Sequence, residues 1–106
     1  MKDRRYWPAV EMPEYTAQYD SIVSKYSLNV IGPVLDALLW GIHTNPLAYD
    51  LTLQNFRIAK SRSLGLTIPT FMVIFQIQNE DQEDEHILLC WIEETSTLDE
   101  MADYSM

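Results

Sequence analysis

The sequence predicts an α+β fold in the order β-α-α-β-β-β, with two N-terminal helices packed on a small antiparallel sheet. Three observations carry this reading. The first half holds two apolar runs at the 3.6-residue period of a helix. The second half holds β-branched and aromatic runs, one of them alternating at period two. The length, 106 residues, suits a single domain with one modest core.

An opening strand is expected at Tyr6 to Val10, and Pro8 confines it to an edge because proline cannot donate to a ladder. The first helix follows from Tyr15, Tyr19, Ile22, Val23 and Tyr26, whose spacing builds one apolar stripe. Met12-Pro13-Glu14 starts it, with proline in the first turn and an acid near the positive helix end. The tyrosines read as core-facing rings with hydroxyls at the rim, in preference to a base-stacking platform.

The second helix carries Ile31, Val34, Leu35, Leu38, Leu39 and Ile42 at the same spacing. Pro33 is expected in its opening turn, where the missing N–H is not needed. Asn45-Pro46 ends it, because the residue before a proline avoids the helical conformation. Trp40 lies just off the stripe, Gly41 reads as a weak point in the last turn, and His43 reads as a helix-terminal histidine.

Three strands complete the order. A short one is expected around Phe56 to Ser61, before the loop Leu64-Gly65-Leu66. A longer one spans Thr70 to Gln78, with Phe71, Val73, Phe75 and Ile77 alternating on one face. Met72 and Ile74 make its second face partly apolar, which suits a central strand. Asn79 to Glu85 is too polar for burial and reads as a solvated hairpin loop. His86 to Ile92 is almost wholly apolar and reads as another central strand, with Cys90 as a buried, inert thiol.

Composition sets the outer bounds. With 47% hydrophobic and 22% charged residues, disorder throughout the chain is excluded. A single cysteine cannot form an intramolecular disulfide. No apolar run reaches the ~20 residues of a membrane helix. The basic start Met1 to Arg5 leads into Tyr6-Trp7-Pro8 and not into an apolar signal core. The expectation is a soluble cytoplasmic protein without a membrane partner.

The net charge of −9 excludes a basic protein that coats nucleic acid, yet it is unevenly spread. Residues 1–56 hold four bases and six acids, a net of −2. Residues 57–79 hold Arg57, Lys60 and Arg62 and no acid, a net of +3. Residues 80–106 hold ten acids and no base, a net of −10. A basic island therefore precedes an acidic C-terminal quarter.

Common catalytic constellations are missing. His43 and His86 with one cysteine lack zinc-site spacing, and three scattered glycines make no phosphate loop. Glu93-Glu94 are adjacent on a strand end, so their carboxylates face opposite sides and read as solvated. The acidic loop lacks the glycine and spacing of a calcium loop. No cofactor or metal is expected.

The element order, together with Leu38-Leu39-Trp40-Gly41-Ile42-His43-Thr44-Asn45-Pro46, the cations Arg57 to Arg62 and the strand Phe71-Met72-Val73-Ile74-Phe75, resembles the RelE/ParE toxin superfamily over residues 6–93. The resemblance implies a toxin-like component of a type II toxin–antitoxin system. Its partner would be an antitoxin, and its target ribosome-bound mRNA or DNA gyrase. By the same resemblance, Arg57, Lys60 and Arg62 are the catalytic candidates, holding a phosphate whose charge grows in the transition state. Tyr104 stands where the family often has a C-terminal tyrosine. Where the family's third strand carries an arginine, this chain has Met72, and its last strand runs into Glu93-Glu94. The activity implied is therefore an mRNA-cleaving one that is weakened or lost.

The organisation expected is one domain over residues 1–94 and an acidic tail over 95–106. In that tail Leu98, Met101 and Ala102 share one side if the segment is helical, and it reads either as a solvated end or as a flap over the basic island. Trp7, Trp40 and Trp91 supply aromatic surface for an interface, a homodimer included. The alternative to a toxin-like protein is a non-catalytic acidic interaction module that binds a basic protein partner.

Overall fold

A computed structural model describes residues 6–63 and 68–95. The expected α+β order is present: β1 (Ala9–Glu11), α1 (Pro13–Lys25), α2 (Leu28–Thr44), β2 (Arg57–Lys60), β3 (Thr70–Gln78) and β4 (His86–Thr95). Two single 3-10 turns, Pro46–Ala48 and Leu53–Asn55, join α2 to β2. The strands lie in the order β1-β4-β3-β2. The three later strands pair antiparallel, while β1 joins β4 in parallel, so the sheet is mixed.

Pro13 opens α1, and Tyr15 and Ile22 are its buried residues. Tyr19 and Tyr26 pack at the rim of the core, as the periodicity implies. Burial pushes the Tyr15 hydroxyl well above the ordinary tyrosine range, and the Glu11 carboxylate and Tyr19 push it further the same way. Between the unfolded value near ~10 and the higher folded one, the unfolded chain has released a proton that the native state keeps. Stability is therefore complete below about pH 9 and falls as pH rises through that window. Urea midpoints measured on both sides of it should show the fall, and Tyr15→Phe should flatten it. An unchanged slope in that variant would refute the assignment.

Two expectations about α2 are corrected. The helix starts one turn before the expected point, because Ser27 caps it by accepting from the Asn29 N–H at 3.2 Å. Pro33 consequently lies inside the helix and not in its opening turn. Its missing N–H is one that an inner turn normally donates to the carbonyl of Asn29. Gly41 is also more than a weak point, since a side chain there would meet the Tyr49 hydroxyl. The Tyr49 ring stands edge-on to Phe75 with centroids 5.8 Å apart, so the glycine makes room for this packing.

The core lies between the helices and one face of the sheet. Phe71, Val73 and Phe75 of β3 are fully buried there, with Ile87 and Ile92 of β4 and Ala59 of β2. Ile31, Leu35 and Ile42 supply the opposing face of α2. Trp7 is buried in this core and not on the surface, which removes it from the expected interface. Its N–H donates to the His43 carbonyl at 2.7 Å, and its own carbonyl lies 2.9 Å from His43 Nδ1. The N-terminal segment is thereby tied to the end of α2. It continues into β1, where the Pro8 carbonyl accepts from Ile87 and the Met12 N–H donates to Leu89.

The hairpin loop is not solvated throughout. Glu85 is buried, and its carboxylate accepts from the Asp81 N–H at 2.7 Å. Asn79 and Asp81 both take positive φ, 55° and 71°, a conformation asparagine and aspartate tolerate better than most residues. Removing the carboxylate leaves the tight turn without its acceptor. Glu85→Ala should therefore cost about 1–3 kcal/mol, read from the urea midpoint, whereas Glu83→Ala on the exposed side should cost almost nothing.

Candidate functional site

The expected catalytic cations come apart on β2. Arg57 pairs with Phe75 and Lys60 with Met72, and Phe75 belongs to the helix-facing side of β3. Residues three apart on a strand stand on opposite faces, so Arg57 shares the core side and Lys60 the other. Arg57 is also engaged, its Nη1–H donating to the Tyr49 carbonyl at 2.8 Å. Arg62 follows the strand and is exposed. The tail with Tyr104, and the flap proposed for it, lie outside the described residues.

Glu93 and Glu94 do face opposite sides, but both are engaged. Glu93 accepts from the Trp91 Nε1–H at 2.8 Å. Glu94 accepts from the Tyr26 hydroxyl and lies 3.4 Å from Lys25 Nζ, which ties β4 to the end of α1. His43 is half-buried under the stacked Tyr6 ring at 4.6 Å, and its Nδ1 is held by Trp7. Among the described residues, no group of three histidine, cysteine or acidic side chains is placed to hold a metal ion.

The helix-free face of the sheet is the larger feature. Even-numbered residues of β3 point to it, and register sets Trp91, Ile74 and Ile58 in one row across three strands. The neighbouring row is Glu93, Met72 and Lys60. Ile58, Met72, Ile74, Leu88, Cys90 and Trp91 are only half-buried, in contrast to the sealed residues on the other side. Of these, Ile58, Ile74, Cys90 and Trp91 border an apolar groove of about 570 Å³ together with Phe56, Thr52 and Gln54.

A β-bulge builds this row. The register steps between Ile74 and Phe75, which pair with Trp91 and Leu89 and leave Cys90 unmatched. Leu89 and Ile92 thereby both face the core while Trp91 faces outward. Cys90 is accordingly half-buried at the groove and not sealed in the core. Desolvation and the Glu14 carboxylate push its thiol up, which keeps it protonated and a poor nucleophile.

The apolar second face of β3 is visible in the sequence, where it fits a central strand as well as an uncovered surface. β3 is central, yet only two helices exist among the described residues, and both serve the other face. The missed signal was this mismatch between apolar faces and covering elements.

A second, smaller hollow lies between α2 and the end of β2. It measures about 400 Å³ and is lined by Pro33, Val34, Ala37, Leu38, Tyr49, Lys60, Ser61 and Arg62. No family model, curated protein or solved structure matches this chain. No helix among the described residues is long and apolar enough to cross a membrane.

Proposed function

We propose that this protein is a non-catalytic interaction module that acts in the cytoplasm and binds a basic protein partner on its helix-free sheet face. The observation that carries this reading is the half-buried row Trp91, Ile74 and Ile58, with Phe56 beside it, around a groove of about 570 Å³. A sheet that faces water on one side normally alternates to polar residues there. A contiguous apolar strip in that position is the mark of a surface that meets another molecule.

Charge selects the partner. Glu93 lies on the same face at one end of the strip, and the exposed Glu80, Asp81, Glu83 and Asp84 lie in the hairpin loop at the other. A second copy would bring its own net charge of −9. An amphipathic segment with apolar side chains and a basic flank meets both the strip and the acidic loop at its end. A synthetic leucine–lysine amphipathic peptide, titrated by calorimetry, should bind, and more weakly as salt rises. Ile74→Lys should weaken it by about tenfold or more by removing apolar contact and adding a like charge. Equal binding by that variant would remove the groove from the account.

A second reading keeps the toxin-like assignment, with an antitoxin as the basic partner and mRNA or gyrase as target. The order β-α-α-β-β-β favours it. Growth arrest on expression, relieved by Arg57→Ala with Lys60→Ala, would support a working toxin. Tolerance of high expression would support the binding module alone.

A further inference from the structure

We propose that the hollow between β1, α1 and α2 binds a small free primary amine in its ammonium form, a ligand unrelated to the protein partner of the sheet face. The hollow measures about 280 Å³, just under the roughly 300–1,000 Å³ of ordinary ligand pockets, so it has room for a small molecule only. Its lining shares no residue with the groove on the helix-free face.

Backbone geometry brings its polar groups together. Glu11 pairs in parallel with Leu89, which faces the helices and is 4% exposed. Paired residues of neighbouring strands point to the same face, so Glu11 also stands on the helix side, as does Ala9 two residues before it. Tyr15 and Tyr19 are four apart on α1, and Leu39 and His43 are four apart on α2, so each pair shares one helix face. All four border the hollow, with Glu11, Ala9 and Leu89 across from them on the sheet.

The Tyr15 hydroxyl is the observation that points to a ligand. The residue is 2% exposed, yet its hydroxyl has no hydrogen bond with a described residue. Among the described residues, no sealed side-chain oxygen or nitrogen lacks a partner. This hydroxyl is therefore not sealed and meets the open space of the hollow that Tyr15 lines. The protein leaves it unsatisfied, and a bound molecule can satisfy it.

Acceptors and negative charge dominate the groups around it. Glu11 Oε1 accepts from Thr16 Oγ1–H at 2.8 Å, which fixes the carboxylate against α1 and leaves Oε2 without a described partner. Burial and then Glu11 push the Tyr15 hydroxyl up, while burial, Asp36 and then Glu11 push Tyr19 up. The Glu11 carboxylate thus stands near both hydroxyls, and a second acid stands near Tyr19. His43 Nδ1 lies 2.9 Å from the Trp7 carbonyl, which only accepts, so Nδ1 carries the proton. Nε2 of the neutral ring is then an acceptor. No cation is among the lining residues. A primary ammonium brings three donors and a positive charge to this set, and a short apolar chain on it covers Leu39 and Leu89.

The test is a titration of the full chain with butylamine at neutral pH, followed by backbone amide shifts. Saturable shifts are expected at residues 9–11, 15–19, 39–43 and 89. Butan-1-ol lacks the charge and butanoate reverses it, and each should bind about tenfold more weakly or worse. Nα-acetyl-lysinamide carries the same ammonium on peptide groups that the hollow has no room for, and it too should bind more weakly. Glu11→Gln keeps an acceptor for Thr16 and should weaken butylamine by about tenfold while leaving butan-1-ol unchanged. Glu80→Gln, in the exposed hairpin loop, alters the net charge equally and should change nothing. Tyr15→Phe removes no described hydrogen bond, so it should keep the fold and weaken butylamine about threefold or more. The proposal is overturned if butan-1-ol or butanoate matches butylamine, or if Glu11→Gln or Tyr15→Phe binds it equally. Shifts gathered at residues 80–84 would also overturn it, as the mark of a general attraction to an acidic chain. Tighter binding by the lysine amide would overturn the free amine as the ligand.

Discussion

Trp7→Ala is expected to cost about 3–5 kcal/mol, the range for emptying a large buried aromatic site. That is a large part of the ~5–15 kcal/mol by which native domains are stable. For a domain of this size each kcal/mol lowers the melting temperature by about 4–8 °C. The loss has two parts. The ring leaves a cavity in a core where the residue is 5% exposed. The segment it anchors is also the lead-in to β1, which holds three paired residues against β4. Hydrogen exchange should therefore quicken at Ile87, whose N–H donates to the Pro8 carbonyl, before it quickens at the centre of β3. Trp7→Phe should recover most of the stability. A cost below about 1 kcal/mol for the alanine variant would mean that the segment is not anchored as described.

Gly41→Ala is the second large effect, and its sign opposes helix propensity. Alanine in a helix interior is favoured over glycine by about 0.8–1.0 kcal/mol. Here the new methyl group meets the Tyr49 hydroxyl, at the end of a half-buried ring whose edge contact with Phe75 limits retreat. Overpacking of this kind costs about 1–3 kcal/mol, so the variant should be less stable than the parent. Tyr49→Phe removes the oxygen and leaves ordinary contact with the ring carbon at 3.7 Å. The double variant should recover the loss and show the propensity gain. Urea midpoints of the parent, both single variants and the double variant form the cycle that checks this. Additive single effects would contradict it.

Much of the fold was legible because local signals agreed with tertiary ones. The Thr70 to Gln78 run carries period-two alternation, and β3 occupies those residues. The tyrosine stripe of α1 and the stop at Asn45-Pro46 were readable for the same reason. The start of α2 was not, because the proline rule outweighed the Ser27 cap, which acts through one hydrogen bond. The parallel pairing of β1 is a long-range choice that a three-residue strand cannot announce. In β4 the alternation is broken by the bulge at Cys90, so Leu88 to Ile92 reads as uniformly apolar although Trp91 faces outward. The burial of Glu85 depends on a turn conformation that composition does not encode.

The candidate site was legible only in part. The basic island is a real feature of the sequence, but strand parity decides that Arg57 and Lys60 stand on opposite faces. Arg57 then takes a structural partner in Tyr49. The acidic quarter was readable as a bias, and the sheet face beside its hairpin loop was not, since no residue type marks an apolar surface that lacks cover.

The helix-free face is the centre of this account, and an amide chemical-shift map of the full chain with the leucine–lysine peptide tests it most directly. The account predicts saturable shifts at Phe56, Ile58, Ile74, Leu88 and Trp91, with the core-facing Val73 and Phe75 and the outer faces of α1 and α2 little changed. Shifts confined to the helices, or an acidic peptide of the same apolar pattern binding equally well, would contradict it.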